Sequence, residues 1–241
     1  MSPLANSAEA PLQVWCQIAG KTAVLDRSGA LYMPDDQVLI VSDMHLEKGT
    51  SWAKRGIFLP PYDTRQTLAT LATVMTQYQP KILVFLGDSF HDAGGPARLD
   101  NEAQDVLLRV CTSQETFWIT GNHDPEKSDL LAGNGCTELG LGAVRLVHVP
   151  SGAVGGSVGG TGEISGHLHP AASVVGRGRA VKRRCFVTDG KRMILPAFGS
   201  YTGGLNIRDA AFEGLFDRKS TIVHIIGDQQ IYSLPLSMLG R

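Results

Sequence analysis

Three short apolar runs in the first half of the chain each lead into a polar motif. The runs are Val38–Val41, Ile82–Leu86 and 117–120, and the polar residues Asp43, Asp88 and Asn122 follow them in that order. Continuous apolar runs of this length predict parallel strands that are buried on both faces. In open α/β sheets, functional residues lie just beyond the carboxyl ends of such strands. We therefore expect an α/β fold with a functional site at one edge of a sheet.

The polar residues form five motifs. In chain order these are Asp43-Met44-His45, Gly87-Asp88, Gly121-Asn122-His123-Asp124, His148 and Gly166-His167-Leu168-His169. Taken singly, an Asp-x-His pair is more often part of a turn, and a lone histidine is more often a core residue. Carboxylate, imidazole and amide ligands together suit manganese, iron or zinc better than magnesium or calcium. The ordered set therefore predicts a two-metal site that hydrolyses phosphoesters.

This series of motifs resembles the calcineurin-like metallophosphoesterase superfamily over residues 12–235. The stretches 42–49 (Ser-Asp-Met-His-Leu-Glu-Lys-Gly) and 195–201 (Leu-Pro-Ala-Phe-Gly-Ser-Tyr) are similar to its DNA-ligase-associated branch, the PdeM-type DNA-repair endonucleases. The resemblance implies an α/β/β/α sandwich, in which two mixed sheets are flanked by helices. It also implies DNA as the substrate, with a DNA ligase and a helicase as repair partners.

The resemblance further implies a role for each motif residue. Asp43, His45 and His169 would hold the first metal, whereas Asn122, His148 and His167 would hold the second, with Asp88 bridging the two. The ions would be a divalent pair, manganese first, with iron or zinc as alternatives. His123 would face the substrate, where it binds phosphate or protonates the leaving oxygen.

One position departs from the pattern of many phosphatases in the superfamily. These carry an aspartate three residues after the bridging aspartate, where it orients the catalytic histidine, but this chain has His91 there, followed by Asp92. The stretch 87–91 is instead similar to a motif of double-strand-break-processing nucleases. We therefore count His91 and Asp92 with His123 as catalytic candidates. Whether Asp92, Asp124 or neither orients His123 stays open, and an ordinary loop histidine is the alternative for His91.

Two basic stretches are candidates for binding a phosphate backbone. Residues 171–192 hold seven basic side chains against one aspartate, a local net charge of +6, in a chain with a net charge of −1. Such a segment can hold DNA by charge, here through Arg179 and Arg183, or it can be an ordinary solvated hairpin. In the loop 48–61, Lys48 and Arg55 flank Trp52. Single-stranded DNA binding uses this combination, but Trp52 can equally well pack beneath the loop.

Composition and turn signals complete the prediction. With 241 residues and 43% hydrophobic residues, the chain suits a single domain, 1–241, with 1–11 flexible. Four cysteines without paired spacing fit reduced thiols, and the first residues lack the features of a signal peptide, so we expect a cytoplasmic enzyme without a membrane partner. The glycine-rich stretch 152–162 predicts a surface loop.

Local signals also predict the smaller elements. We expect a β-meander over 12–33, a helix from an Asp63 N-cap to about Tyr78, and a second helix over about 97–110. Hairpin turns are expected at 189–190 and 227–228. Three functions fit the chain as a whole: a DNA nuclease, a phosphoesterase for nucleotides or other small substrates, and a non-catalytic scaffold. The complete ligand set and His123 argue against the scaffold.

Overall fold

The computed structural model describes two β-sheets that face each other, with α-helices packed on the outer face of the first sheet. The described residues are 13–60, 62–124, 126–152, 162–176 and 179–239. The predicted two-sheet α/β sandwich is confirmed. The predicted flexible segment 1–11 and most of the predicted loop 152–162 lie outside the described residues.

Within the described residues, the first sheet contains seven strands in chain order. They are β1 Gln13–Ile18, β2 Lys21–Asp26, β3 Leu31–Met33, β4 Val38–Val41, β5 Ile82–Leu86, β6 Glu115–Ile119 and β7 Asn134–Cys136. Strands β1 to β3 form the predicted antiparallel meander, β3 also pairs antiparallel with β4, and β4 to β7 run parallel. In the register of this sheet Val41 pairs with Phe85, and Leu86 pairs with Ile119. The three predicted parallel strands therefore end side by side.

Three α-helices connect these strands: α1 Lys48–Ala53, α2 Asp63–Tyr78 and α3 Asn101–Thr112. Helix α2 has the predicted extent, but the prediction of Asp63 as its N-cap is wrong. The N-cap is Tyr62, and the buried Asp63 carboxylate instead accepts a hydrogen bond from the Gly49 amide at 2.9 Å. Helix α3 begins later than predicted because Asp100 caps it, accepting from the Ala103 amide at 2.8 Å. A separate 3₁₀ turn, Pro96–Arg98, precedes that cap.

The second sheet is built from nine further strands in the described part of the chain. They are β8 Glu138–Leu141, β9 Val144–Val147, β10 Gly162–Ser165, β11 Pro170–Gly176, β12 Arg179–Thr188, β13 Arg192–Ile194, β14 Leu205–Asn206, β15 Ile222–Ile226 and β16 Ile231–Pro235. Their order is β14-β11-β12-β13-β10-β9-β8, with β15 and then β16 paired onward from β12. Both predicted hairpins are confirmed, since β12 pairs with β13 and β15 with β16, all antiparallel.

The core explains why the strands are apolar throughout. In β4, Ile40 packs between the sheets against residues such as Phe186, whereas its neighbour Leu39 packs toward the helices with Leu71. Burying each such side chain stabilises the fold by roughly 1.5–3 kcal/mol, which fixes the strand ends firmly. The outer face of the second sheet is covered by an apolar layer that includes Phe212 and Phe216, around the 3₁₀ turn Ala210–Phe212.

Candidate metal centre

The polar motifs meet because hydrogen bonds continue past the ends of neighbouring strands. The amides of Asp43 and His45 donate to the carbonyls of Gly87 (3.1 Å) and Asp88 (2.9 Å). On the second sheet, the Gly166 amide donates to the His148 carbonyl at 3.0 Å. The first sheet thus aligns the motifs at 43–45, 87–88 and 121–124, and the second sheet aligns those at 148 and 166–169. Packing of the two sheets against each other brings both sets of motifs together. Six of the seven histidines lie in this region.

Two of the motif glycines are required by close approach. Gly87 has a φ of 77°, and a Cβ at this position would overlap the ring of His148. A Cβ on Gly121 would overlap the carboxylate of Asp88. Any larger residue at either place would push two predicted ligands apart, because glycine alone lets the backbone come this near.

The first ligand group contains Asp43, His45 and His169. Asp43 is fully buried, and its Oδ2 accepts hydrogen bonds from the Ser42 hydroxyl (2.5 Å) and the His167 amide (3.0 Å). Its other oxygen, Oδ1, lies 3.1 Å from His169 Nε2 but makes no hydrogen bond among the described residues. His169 Nε2 also lies 3.2 Å from His45 Nε2. One carboxylate oxygen and two ring nitrogens therefore converge on one point.

The second ligand group contains Asp88, His148 and His167, with Asn122 beside them. His148 Nε2 lies 3.4 Å from Asp88 Oδ2 and 3.1 Å from Asn122 Oδ1. Asp88 Oδ2 is also 3.9 Å from His45 Nε2, a member of the first group. The carboxylate of Asp88 therefore lies between the two groups, as a bridging ligand must. All seven sequence-predicted ligands lie together, and their role in binding metal stays a prediction.

Backbone acceptors fix which nitrogen of the histidines is available. His148 Nδ1 donates to the Leu86 carbonyl (3.0 Å), and His169 Nδ1 donates to the Gly203 carbonyl (3.2 Å). A carbonyl can only accept, so in the neutral ring Nδ1 carries the proton and Nε2 presents a lone pair. This arrangement is typical of metal-binding histidines, whose second nitrogen is held by a neighbouring acceptor.

The side chains of the second group are arranged so that they could bind a divalent cation. The Nε2 lone pair of His148 faces the carboxylate of Asp88 and the side-chain oxygen of Asn122, all of which are acceptors. A cation placed among these three groups would satisfy all of them at once. Imidazole, carboxylate and amide groups in this mixture suit manganese, iron or zinc.

The pKa values in the site follow the same electrostatics. Burial lowers the pKa of His45 to about 3, so this ring is neutral near pH 7. Burial alone would raise the pKa of Asp88, but hydrogen bonding and the charge of His148 hold it at about 2. For His148, burial acts to lower the pKa, but its hydrogen bond to Asp88 and the charge of Asp43 raise it above the ordinary value. Burial also acts to raise the pKa of Asp43, but its interactions with His169 and His148 hold it below the ordinary value. The carboxylates of Asp43 and Asp88 thus stay ionised and attract positive charge.

Unusual backbone geometry is concentrated at the ligands. Nine non-glycine residues among those described have a positive φ, and five of them are predicted ligands: Asp43, His45, Asp88, His167 and His169, with φ of 44° to 68°. Left-handed backbone at a residue with a Cβ costs of order 1–3 kcal/mol, and proteins keep it mainly where function requires it. The fold holds these five side chains in place against that cost.

The catalytic candidates lie beside the first group. The ring of His123 is 5.0 Å from that of His45 and 5.3 Å from that of His91, centroid to centroid. His123 Nδ1 donates to the main-chain carbonyl of His91 at 2.9 Å. The orientation of His123 therefore comes from a carbonyl, and neither Asp92 nor Asp124 supplies it.

The two aspartates near His123 hold other groups instead. Arg98 binds the Asp92 carboxylate through two hydrogen bonds of 2.7 and 2.8 Å and keeps its pKa well below the usual range. The Asp124 carboxylate accepts from the amides of Ser89 (2.8 Å) and Phe90 (3.1 Å), and burial raises its pKa to about 6. The question that the sequence left open, which aspartate orients His123, is thus answered by neither of them, since the Asp92 carboxylate binds Arg98 of the following turn.

The residues of the loop after the first motif lie close to the histidines. Part of this loop forms α1, in which Trp52 donates its indole N–H to His91 Nε2 at 3.1 Å. Lys48 Nζ lies 5.4 Å from the centroid of the Trp52 ring and donates to the Tyr201 carbonyl at 3.0 Å. Burial is the main cause that lowers the pKa of His91, and the positive charges of Lys48 and Arg55 lower it further. The positive charges of these two predicted substrate-binding residues therefore act on His91, while Trp52 is engaged within the protein.

Most of the predicted basic segment has structural partners. Arg183 makes a bidentate ion pair with Asp228 at 2.7 Å, and it makes no hydrogen bond to a predicted ligand among the described residues. Arg184 donates to the Ala197 carbonyl at 2.7 Å, and the buried Arg192 pairs with Glu163 at 3.1 Å. Arg177 and the side chain of Arg179 lie outside the described part of the chain. The local charge of +6 therefore overstates what this segment offers to a phosphate backbone.

Two supporting features escaped the sequence analysis. The Gly203 carbonyl that fixes His169 belongs to the backbone, and any residue type could supply it, so no sequence signal marks it. The hydrogen bond between Trp52 and His91 joins residues 39 positions apart. The presence of a tryptophan near the first motif was the only sequence hint of it.

Comparison with known proteins agrees with this geometry. The sequence model of the calcineurin-like phosphoesterases matches residues 37–173, which is more than half of the chain. The chain belongs to the calcineurin-like phosphoesterase family. Among solved structures, this phosphoesterase is similar to the nuclease MPE of Pseudomonas putida, with 25% sequence identity and a TM-score of 0.70. The match covers 92% of this chain and 100% of that one.

Other matches are more distant. The phosphoesterase Yfce of E. coli is 15% identical, covering 83% of this chain and 98% of its own, with a TM-score of 0.42. Vps29 of Entamoeba histolytica, solved with zinc, is 14% identical, covering 82% of this chain and 96% of its own, with a TM-score of 0.34. No curated protein matches the phosphoesterase. None of its described helices combines the length and the hydropathy that crossing a bilayer requires.

Replacing a histidine of either group should remove metal selectively. We expect His169→Ala to lose the ion of the first group and His167→Ala that of the second, each leaving about one ion per chain in a two-metal site. Metal analysis by mass spectrometry after dialysis measures this directly. His224→Gln is the matched control, because His224 is buried on β15, bonded to Ser233, and should keep full occupancy. Full occupancy in both ligand variants would contradict the assignment.

Proposed function

We propose that this phosphoesterase is a metal-dependent DNA endonuclease with two divalent ions, preferably manganese, with iron or zinc as alternatives. The observation that carries the proposal is the convergence of two ligand groups on Asp88, next to His123 and His91. When bound, two ions in such a site supply a hydroxide nucleophile and neutralise charge on the phosphoryl oxygens. The side chains then have to position the phosphodiester and protonate the leaving oxygen.

His123 is suited to the proton transfer. Its Nδ1 is engaged with the His91 carbonyl, so Nε2 is the nitrogen that can exchange a proton with the substrate. The ring is exposed, whereas its neighbour His45 is buried. A general acid must be reachable by the leaving group and fixed in orientation, and His123 meets both conditions.

DNA is favoured as the substrate by similarity and by local charge. The nuclease MPE of Pseudomonas putida is similar over its whole length, and His91 stands where the nuclease-like motif has it. Lys48 and Arg55 add positive charge beside His91, where a phosphate chain leaving the metals would pass. The DNA-ligase-associated branch further suggests a role in DNA repair in the cytoplasm with a ligase and a helicase as partners. All four cysteines are unpaired thiols, as a reducing compartment requires.

Parallel assays test the substrate class. Manganese-loaded protein is incubated with circular single-stranded DNA, circular duplex DNA, a cyclic nucleotide and bis-p-nitrophenyl phosphate. We expect metal-dependent cleavage of circular DNA, which only internal cuts can produce. Turnover of the cyclic nucleotide with intact DNA would replace the nuclease by a small-phosphoester hydrolase. No hydrolysis of any substrate would contradict the catalytic proposal itself.

Arg55→Gln is expected to weaken DNA binding in a salt-dependent manner. Losing one phosphate contact should reduce the log–log slope of affinity against salt by about 0.7–0.9, which fluorescence anisotropy can measure. Arg109→Gln is the matched control. Arg109 is exposed near the C-terminal end of α3, which leads into the start of β6. The predicted ligands follow the ends of the parallel strands, so Arg109 lies at the other end of the sheet. An unchanged slope in Arg55→Gln would remove Arg55 from the DNA path.

A further inference from the structure

The hydrogen bond from Trp52 to His91 decides which His91 nitrogen carries the proton. An indole N–H can only donate, and it lies 3.1 Å from His91 Nε2, so this nitrogen must present its lone pair. In the neutral imidazole the proton is therefore on Nδ1. Without the hydrogen bond from the indole, the neutral His91 imidazole could adopt either tautomer.

The surroundings hold both rings in this arrangement. The His91 amide donates to the Leu46 carbonyl at 2.9 Å, and the His91 carbonyl accepts from His123 at 2.9 Å, so its backbone is fixed on both sides. Lys48 lies against the ring of Trp52 and is itself bonded to the Tyr201 carbonyl. The indole is thus a fixed donor.

His91 Nδ1 is a buried atom with no hydrogen-bond partner among the described residues. His91 also belongs to a group with His45 and His123 whose ring nitrogens lie within 4.8 Å of one another, at the edge of the metal centre. A buried N–H without an acceptor is costly, and a phosphoryl oxygen of a bound phosphodiester would satisfy it.

We propose that Trp52 is a positioning residue that fixes His91 as the Nδ1–H tautomer, so that this N–H donates to a phosphoryl oxygen of the substrate. The proposal rests on the phosphodiesterase function proposed above. Trp52 itself touches no reacting atom and acts only through the imidazole of His91.

Trp52→Phe tests the proposal, because it keeps an aromatic ring and removes only the donor. We expect kcat for bis-p-nitrophenyl phosphate to fall about tenfold, the effect of one hydrogen bond, with metal content unchanged and KM within about twofold. Trp15→Phe is the matched control, since Trp15 is 63% exposed on β1 and should change neither constant.

Nitrogen NMR of the histidine rings gives a readout that is independent of turnover. In zinc-loaded, ¹⁵N-histidine-labelled protein, the signals of His91 are identified by their loss in His91→Gln. We expect a protonated Nδ1 in the wild type and a mixture of tautomers in Trp52→Phe. A protonated Nε2 in the wild type overturns the proposal, whether or not the variant folds. The proposal is also overturned if Trp52→Phe keeps the pure Nδ1–H form.

A double-mutant cycle separates positioning from general support of the structure. If Trp52 acts through His91, then Trp52→Phe should have no further effect on kcat in the His91→Gln background. An equal loss in both backgrounds, or no loss in either, would overturn the positioning role. A wild-type protein without phosphodiesterase activity would contradict the proposed function instead, and the NMR result would still decide the tautomer.

Discussion

Replacing Asp88 with asparagine is expected to abolish hydrolysis of every phosphoester substrate. Asp88 is the carboxylate that lies between the two ligand groups, 3.4 Å from His148 and 3.9 Å from His45. Asparagine has nearly the same shape and can still accept from the His123 amide, a bond of 2.9 Å to Asp88 Oδ1. The variant therefore removes the charge, and with it the proposed bridge, while keeping the local backbone.

Metal analysis and circular dichroism complete this experiment. We expect lower metal occupancy in Asp88→Asn together with an intact fold, because asparagine keeps the shape of the side chain and its hydrogen bond from the His123 amide. Asp228→Asn is the matched control, since that carboxylate is exposed, pairs with Arg183 and should leave hydrolysis intact. Full activity in Asp88→Asn or Asp88→Ala would falsify the two-metal mechanism.

The second large effect is expected from His123→Ala. This variant should retain both metals and lose turnover by about 10²–10⁴, the usual contribution of a general acid. The fold should tolerate the change because the ring is exposed and its hydrogen bond goes to the His91 carbonyl. Metal analysis tests the retained metal content, and steady-state kinetics on the same preparation test the loss of turnover. Release of a metal with an undiminished rate at saturating manganese would show that His123 is a ligand instead.

The sequence predicted the parts of the fold that follow from local hydrophobic patterns. Val38–Val41 and Ile82–Leu86 were correct as parallel strands because strands buried on both faces must be apolar at every position. The candidate ligands could be selected for a similar reason, and the structure brings them together. Their spacing after the strands, taken with the family resemblance, left few alternatives for Asp43, Asp88 and His148.

Sequence reasoning failed where a polar side chain had several partners within reach. Asp63 has the right position for an N-cap, but the Gly49 amide competes for its carboxylate across the loop. For Asp92, whose relation to His123 the sequence left open, the partner is Arg98, which binds its carboxylate through two hydrogen bonds. The count of basic residues also ignored Asp228, which neutralises Arg183 from another hairpin. Such pairings depend on tertiary structure, and no local pattern encodes them.

The left-handed backbone at five of the predicted ligands bears on how this protein could be engineered or could evolve. Glycine is the residue best suited to that conformation, but it has no atom that can bind a metal. Stability and metal affinity therefore select different residues at these positions. A thermostability screen carried out on metal-free protein would favour glycine at a half-buried position such as His167 and remove a predicted ligand, so stabilised variants of this protein should be selected only with metal present.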